Sequence, residues 1–314
     1  MSAIRFSLVI PTFNRAVILK RMLQHLRTVD GIEGCEVIII NDGSTDHTAN
    51  VLNDYLQMMP NLLRVITISN GGPARARNTG VEAAKNERIL FIDDDVFPHS
   101  NMLREHWAMM DRGYDGSQGL LLWHQEIVMT PLISYIDSRG SQFAFNQIEH
   151  PEDLGGEYIY TGNFAVRRDV VLQAGGFCER LFNRKLAFSA FEDTVLGWSM
   201  KKKGARLALN PAAVADHLHH MNEKEYLRRE YNVGSGAAQL ERLFPEISQD
   251  LGLKPKGGLI GLQVGLLGVL TALPALRQVI GYQKSMRLRH RASFLRGYLR
   301  YEKEYPRRKE YAKA

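Results

Sequence analysis

Apolar positions in the first hundred residues follow two alternating spacings. Residues 6–10, 36–40, 63–68 and 88–92 form short, nearly continuous apolar runs of strand length, the pattern of buried β-strands. Between them, residues 15–26, 45–56 and 73–84 space their apolar side chains as amphipathic helices do. Strand and helix in this alternation predict a parallel sheet flanked by helices. Each run ends in a polar or glycine-rich turn: Pro11-Thr12-Phe13-Asn14, Asn41-Asp42-Gly43-Ser44, Ser69-Asn70-Gly71-Gly72, and Asp93-Asp94-Asp95. In such a sheet all four turns fall at the carboxyl edge, where open α/β sheets bind ligands. Ser44 and Thr45 are expected to cap the second helix, with Asp46 in its first turn. Pro73 suits a helix start, and Gly71-Gly72 before it permits close ligand approach.

Beyond residue 101 the periodicity weakens, and Trp107, Trp123 and Tyr135 suggest packed mixed structure up to about residue 155. A strand is expected over 161–166, a helix over 168–174 before Gly175-Gly176, a helix from Phe191 to Lys203 stopped by Gly204, and a short strand over 206–209. His217, His219 and His220 follow Pro211. The character changes near Lys254, since residues 257–276 carry no charge. The expected division is a catalytic domain over 1–225 (nucleotide-binding half about 1–100, acceptor-binding half about 101–225) and a helical, partly apolar and basic region over 226–314.

With 45% hydrophobic and 24% charged residues, composition is that of a globular protein. Cys35 and Cys178 form no disulfide framework or metal-ligand pattern, which points to a reducing compartment. The N-terminal apolar stretch is too short for a secretion signal. The net charge of +6 is unevenly placed: residues 277–314 hold twelve Lys/Arg against three Asp/Glu, a net +9, and the remainder is −3. A basic tail of this kind seeks anionic lipid headgroups or nucleic acid.

Three adjacent carboxylates repel one another and normally need a cation. In an extended segment Asp93 and Asp95 lie on one side, where Mg²⁺ or Mn²⁺ could bridge them to phosphate oxygens. Neither a dinucleotide fingerprint nor a phosphate-loop motif is present, so the sheet binds its ligand differently.

Taken in order, the segments Ser7 to Arg15, Ile39 to Asp46, Gly72 to Gly80, Ile92 to Asp95, Asn163 to Arg168, Gly175-Gly176-Phe177 and Glu192-Asp193 resemble the family-2 glycosyltransferases. The resemblance spans about residues 5–220. It implies an α/β GT-A fold with a mostly parallel central sheet, here carrying a C-terminal helical appendage. It also implies sugar transfer from a nucleotide-diphospho-sugar to an acceptor hydroxyl with inversion, using divalent Mn²⁺ or Mg²⁺. Carried over by motif, Pro11, Thr12, Asn14 and Arg15 would line the nucleotide pocket, and Asp42 would bond the base. Arg77, with Arg75 as an extra positive group, would meet the phosphates. Asp93, Asp94 and Asn163 would contact the donor, and Asp95, with Asp93 and His217, would hold the metal. Asp193 would be the catalytic base, with its neighbour Glu192 the competitor. His219 and His220 are expected to be solvated. Cys178 departs from the family pattern, which usually has aspartate there.

Donor synthesis places such an enzyme in the cytoplasm. The uncharged run is long enough for one membrane crossing, but its glycines and the charge rule favour a helix lying at the inner face of the cell membrane, with Arg287, Arg289, Arg291, Arg296 and Arg300 on headgroups. An acceptor in envelope polysaccharide, lipopolysaccharide or glycolipid would lie on the same plane. The alternatives are a non-catalytic nucleotide-sugar-binding protein, a nucleotidyltransferase, and a nucleic-acid binder using the tyrosines of the tail.

Overall fold

The computed structural model describes residues 4–140, 142–255 and 274–306, together with Gly265 and Leu267. Contacts divide the chain into two units. The first comprises Met1–Val128, Gly140–Phe182 and Glu192–His220, and the second Met129–Arg139, Asn183–Phe191 and Met221–Ala314. Two short internal segments, Met129–Arg139 and Asn183–Phe191, thus group with the second unit.

The first unit is built on one eight-stranded sheet: β1 (Phe6–Thr12), β2 (Glu36–Asn41), β3 (Leu63–Thr67), β4 (Arg88–Ile92), β5 (Val96–Pro98), β6 (Gly116–Trp123), β7 (Asn163–Arg167) and β8 (Leu207–His217). Their spatial order is β3-β2-β1-β4-β7-β6-β8-β5. Strands β1 to β4 run parallel, as do β6 and β8, while β7 is antiparallel to both β4 and β6. Both faces of the central strands are covered, so Leu8, Val9, Ile10, Val37 to Ile40 and Ile89 to Ile92 are all fully buried. That coverage explains why these strands read as unbroken apolar runs.

Helices α1 (Ala16–Leu26), α2 (Thr48–Met58) and α3 (Pro73–Ala83) connect the parallel strands, followed in this unit by α4 (Met102–Asp111), α6 (Arg168–Gln173) and α7 (Glu192–Lys202). Helix α1 buries Leu19, Met22, Leu23 and Leu26, one stripe of an amphipathic helix. Helix α2 starts three residues later than its sequence suggests. The N–H groups of Thr45 and Asp46 are bound by the Asn14 side chain, and Asp46 accepts from Ala16 and Thr48 instead of occupying the first turn.

The largest departure is β8. The sequence suggested a strand over 206–209, yet it continues through Pro211 to His217. Its register against β6 shifts between Gly119 and Leu120, so that Asn210 pairs with Gly119 and Val214 with Leu120. Such an irregularity is where a strand tolerates proline. It also carries β8 to the edge occupied by the aspartate run.

In the second unit, α8 (Glu223–Leu243) packs with α10 (Pro274–Glu304), accompanied by α5 (Pro131–Ser138) and α9 (Pro245–Asp250). Asn222 caps α8 in a reciprocal box with Glu225. Helix α10 is interrupted at Gly281 (φ +76°). The uncharged run 257–276 lies outside the described residues apart from Gly265, Leu267 and the start of α10. Among the described residues, no helix is long and apolar enough to cross a membrane.

Candidate active site

Chain order reverses between β1 and β4: β1 leads outward to β2 and β3, and the chain then returns to place β4 on its other side. A crevice forms at the carboxyl ends of strands at such a switch point. The loops leaving β1 and β4 meet there. Thr12 donates to Asp94 Oδ2 at 2.7 Å, and Arg15 reaches Asp94 Oδ1 with Nε at 3.1 Å and Asp95 Oδ2 with Nη2 at 2.6 Å. Burial pushes the Asp94 carboxyl upward against the pull of Arg15. For Asp95 burial acts in the same direction, but His217, His219 and Arg15 outweigh it and hold the group well below the usual carboxylate range.

Asp93 turns elsewhere. The aspartates lie in a turn between β4 and β5 rather than in extended chain, so residue alternation does not put Asp93 beside Asp95, contrary to the sequence expectation. Asp93 instead accepts from Arg77 Nη2 at 2.8 Å. The Arg77 side chain is only 7% exposed, and Nη1 also lies 3.5 Å from Glu192 Oε1 and 3.8 Å from Asp193 Oδ1. Burial opposes its charge, but these three carboxylates overcome that and keep it protonated. Gly72, at φ +86°, makes the turn into α3 that carries Arg77 inward.

Glu192 and Asp193 open α7. That helix lies against the turn Gly156–Tyr158 so closely that a Cβ on Gly197 would stand 2.1 Å from the Gly156 carbonyl oxygen. Asp193 Oδ2 accepts from the Thr161 N–H at 3.1 Å and its hydroxyl at 2.9 Å, whereas Oδ1 is buried and without a hydrogen-bond partner. Burial raises the Asp193 pKa, with Arg77 and Thr161 only partly opposing.

The end of β8 brings His217 Nε2 to 3.4 Å from Asp95 Oδ1 and His219 Nδ1 to 3.5 Å from Asp95 Oδ2. One ligand atom from each of Asp95, His217 and His219 lies within 4.8 Å of the others. A carboxylate with two imidazoles suits a divalent ion that accepts both nitrogen and oxygen, as Mn²⁺ does, better than Mg²⁺ with its all-oxygen preference. His219, expected to be solvated, therefore belongs to the cluster. Its stacking on His217 at 5.5 Å and 9° reflects their spacing of two along nearly extended chain, a signal present in the sequence.

Other expected contacts are occupied within the protein. Asn14 (φ +54°) braces the loops after β1 and β2 through Ser44, Thr45 and Asp46. Asp42 accepts the N–H groups of Gly71 and Gly72, both at 2.8 Å. Burial raises its pKa and these amides oppose the rise. Arg75, half-buried, touches Ser69 at 3.3 Å, and Pro11 is half-buried at the end of β1.

Asn163, expected to contact the donor, is fully buried. Its Nδ2 donates to the carbonyls of Leu120 and Ala213, and its Oδ1 meets His106 Nε2 at 2.8 Å. Because the amide orientation is fixed by two carbonyls, His106 carries its proton on Nε2 and accepts from Ser117 at Nδ1. Gly119 permits this crossing, since a Cβ there would lie 2.2 Å from Asn163 Nδ2. The amide thus joins β7, which follows Thr161, to β6 and β8. Neither this role nor that of Thr161 is visible in local sequence.

A separate cleft of about 490 Å³, lined in part by Lys85, Arg88, Tyr114, Asp115, Arg167 and Asp169, opens at the amino end of β4, away from the aspartates. Two of its arginines are ion-paired, Arg167 with Asp169 and Arg88 with Asp111, each at 2.7 Å.

Residues 7–175 match the family Glycosyl transferase family 2, and the chain belongs to that family of glycosyltransferases. The pre-mycofactocin glycosyltransferase of Mycobacterium tuberculosis is 25% identical over 251 residues, covering 76% of this chain and 48% of that protein. The chain thus spans about half the length of that curated relative. TarS of Staphylococcus aureus, a poly(ribitol-phosphate) beta-N-acetylglucosaminyltransferase, is 28% identical over 108 residues, 34% of this chain and 19% of its own. Its structure with UDP-GlcNAc superposes with a TM-score of 0.52 at 17% identity, over 96% of this chain and 93% of that one. The mannosyltransferase PcManGT of Pyrobaculum calidifontis, solved with GDP-Man and Mn²⁺, gives a TM-score of 0.61 at 15% identity, covering 93% and 86% of the two chains. These structural likenesses establish the GT-A fold.

Proposed function

We propose that this protein is a divalent-cation-dependent, inverting glycosyltransferase acting from a nucleotide-diphospho-sugar on an acceptor hydroxyl of an envelope polymer or lipid-linked glycan. The observation that carries the reading is the gathering of Asp95, His217 and His219 on the same unit as the half-satisfied carboxylate of Asp193. The Mn²⁺ and nucleotide sugar of PcManGT and the acceptor named for TarS support it by analogy.

Asp95, His217 and His219 would hold the cation, with Mn²⁺ preferred on donor chemistry. When bound, it would neutralise charge on the leaving diphosphate. Asp193 acts as general base: Thr161 holds Oδ2, leaving Oδ1 to take the acceptor proton, and burial strengthens its basicity. The acceptor oxygen bonds to the anomeric carbon as the bond to the diphosphate oxygen breaks on the opposite face, which inverts configuration. Arg77 lies within ion-pair distance of Asp93, Glu192 and Asp193 and positions them. Arg75, near the turn after β3, supplies a further positive group for phosphate.

Calorimetry over a panel of UDP-, GDP- and dTDP-sugars with and without Mn²⁺ tests the reading. One donor should bind only with Mn²⁺, and Asp95→Ala should abolish that binding. Metal-independent donor binding unaffected by Asp95→Ala would refute it.

The same proposal places the enzyme at the cytoplasmic face of the membrane. Helix α10 exposes Lys284, Arg287, Arg291, Arg296, Arg300 and Lys303, a basic surface suited to anionic headgroups. Cosedimentation with phosphatidylglycerol vesicles, lost when Arg287, Arg291 and Arg296 become glutamine, is the expected result.

A further inference from the structure

The His217 ring is enclosed on nearly every side. Trp123 stacks near it at 6.5 Å and 30°, His219 at 5.5 Å and 9°, and Phe143 meets it edge-on at 5.6 Å. Nε2 is directed at Asp95. The remaining nitrogen, Nδ1, lies 2.8 Å from Gln142 Nε2, while Gln142 Oε1 is buried and has no hydrogen-bond partner. A buried amide oxygen left in this way costs free energy unless another arrangement of the same side chain uses it.

We infer that Gln142 is a positioning residue that sets the His217 tautomer, and so governs its competence as a cation ligand. With the amide nitrogen toward the ring, Nδ1 accepts and the ring proton sits on Nε2, where it faces Asp95. With the amide turned over, Oε1 accepts a hydrogen bond from Nδ1–H, the ring proton stays on Nδ1, and the Nε2 lone pair is freed for the cation. The second arrangement also gives the buried oxygen its partner. Metal-bound histidines generally donate their other N–H to an oxygen, which fixes the ring and raises its basicity. Gln142 is the side chain whose polar atom meets Nδ1 here, and the adjacent Phe143 makes an edge contact with the same ring. This inference rests on the proposed cation site.

The test is a titration of the whole 314-residue chain with Mn²⁺ alone, followed by the paramagnetic resonance signal of free Mn²⁺. Wild type, Asp95→Ala, Gln142→Leu and Gln142→Glu are compared, with thermal melting to confirm folding. The expected pattern is saturable binding in wild type and none in Asp95→Ala. Gln142→Leu, which offers no acceptor, should bind about 10- to 100-fold more weakly. Gln142→Glu, which offers only acceptors, should bind at least as tightly as wild type. A space-filling role predicts the opposite ranking, with leucine tolerated. Wild-type affinity in Gln142→Leu, or binding by Gln142→Glu as weak as that of the leucine variant, would overturn the inference and leave the cation site standing. Absence of saturable binding in wild type, or unchanged binding in Asp95→Ala, would remove the cation site and the inference together.

Discussion

Arg15 and Arg77 divide the aspartate run between them: Arg15 takes Asp94 and Asp95, and Arg77 takes Asp93. Around Arg15 the acceptors are matched. Thr12 serves Asp94, two imidazoles approach Asp95, and the Arg15 side chain remains 35% exposed. Around Arg77 they are not. That guanidinium is deeply buried among Asp93, Glu192 and Asp193, yet its Nε and Nη1 and the Asp193 Oδ1 lack hydrogen-bond partners. The first cluster is a settled ion-pair network suited to holding a cation. The second has polar atoms in reserve, as expected where a substrate completes the site. A single run of like charges is thereby split between two differently satisfied clusters.

Breaking the Arg77 side at its unsatisfied atom should have the largest effect. Asp193→Asn keeps the acceptor for Thr161 but removes the proposed base. Turnover should fall about 10²- to 10⁴-fold while Mn²⁺-dependent donor binding persists, as steady-state rates and calorimetry together would report. An unchanged rate would transfer the base role away from Asp193. Arg77→Leu comes next, because it strands three carboxylates in a largely buried setting. A stability loss of about 3–5 kcal/mol is expected in urea unfolding, whereas Arg15→Leu should cost clearly less, since its site is more open. Equal losses would erase the distinction between the clusters.

Acid should loosen the platform beneath both clusters. Burial lowers the His106 pKa from near 6.5 to about 4, with Asn163 opposing weakly. The unfolded chain therefore binds the proton first, and stability falls as pH drops from about 6.5 toward 4. Between pH 7 and pH 5 the loss attributable to His106 should be about 2 kcal/mol, and it should disappear from the difference curve of His106→Gln. The smallest effect concerns the Arg15 side: His219→Ala should weaken Mn²⁺ binding about tenfold without altering the unfolding midpoint. If affinity is unchanged, His219 only stacks on His217.

Much of the first unit was legible in advance. Strands β1 to β4 and helices α1 to α3 match their apolar spacing within a few residues because the sheet is buried on both faces. The alternation then dictates that the polar turns share an edge. The full length of strand β8 is not legible in the sequence, because only the register shift against β6 lets the strand run on through Pro211. Asn163 is assigned to the donor through the family motif, and a motif carries no mark of burial.

The chain alone determined that acidic, glycine-rich and basic segments would converge at the carboxyl ends of parallel strands, since local periodicity and the handedness of crossovers leave little choice. Only the tertiary structure decided which carboxylate meets which cation. Those partners come from segments separated by 16 residues, as for Arg77 and Asp93, to 116 residues, as for Arg77 and Asp193. The aspartates also occupy a turn, where the two-residue alternation that relates neighbours in a strand no longer applies.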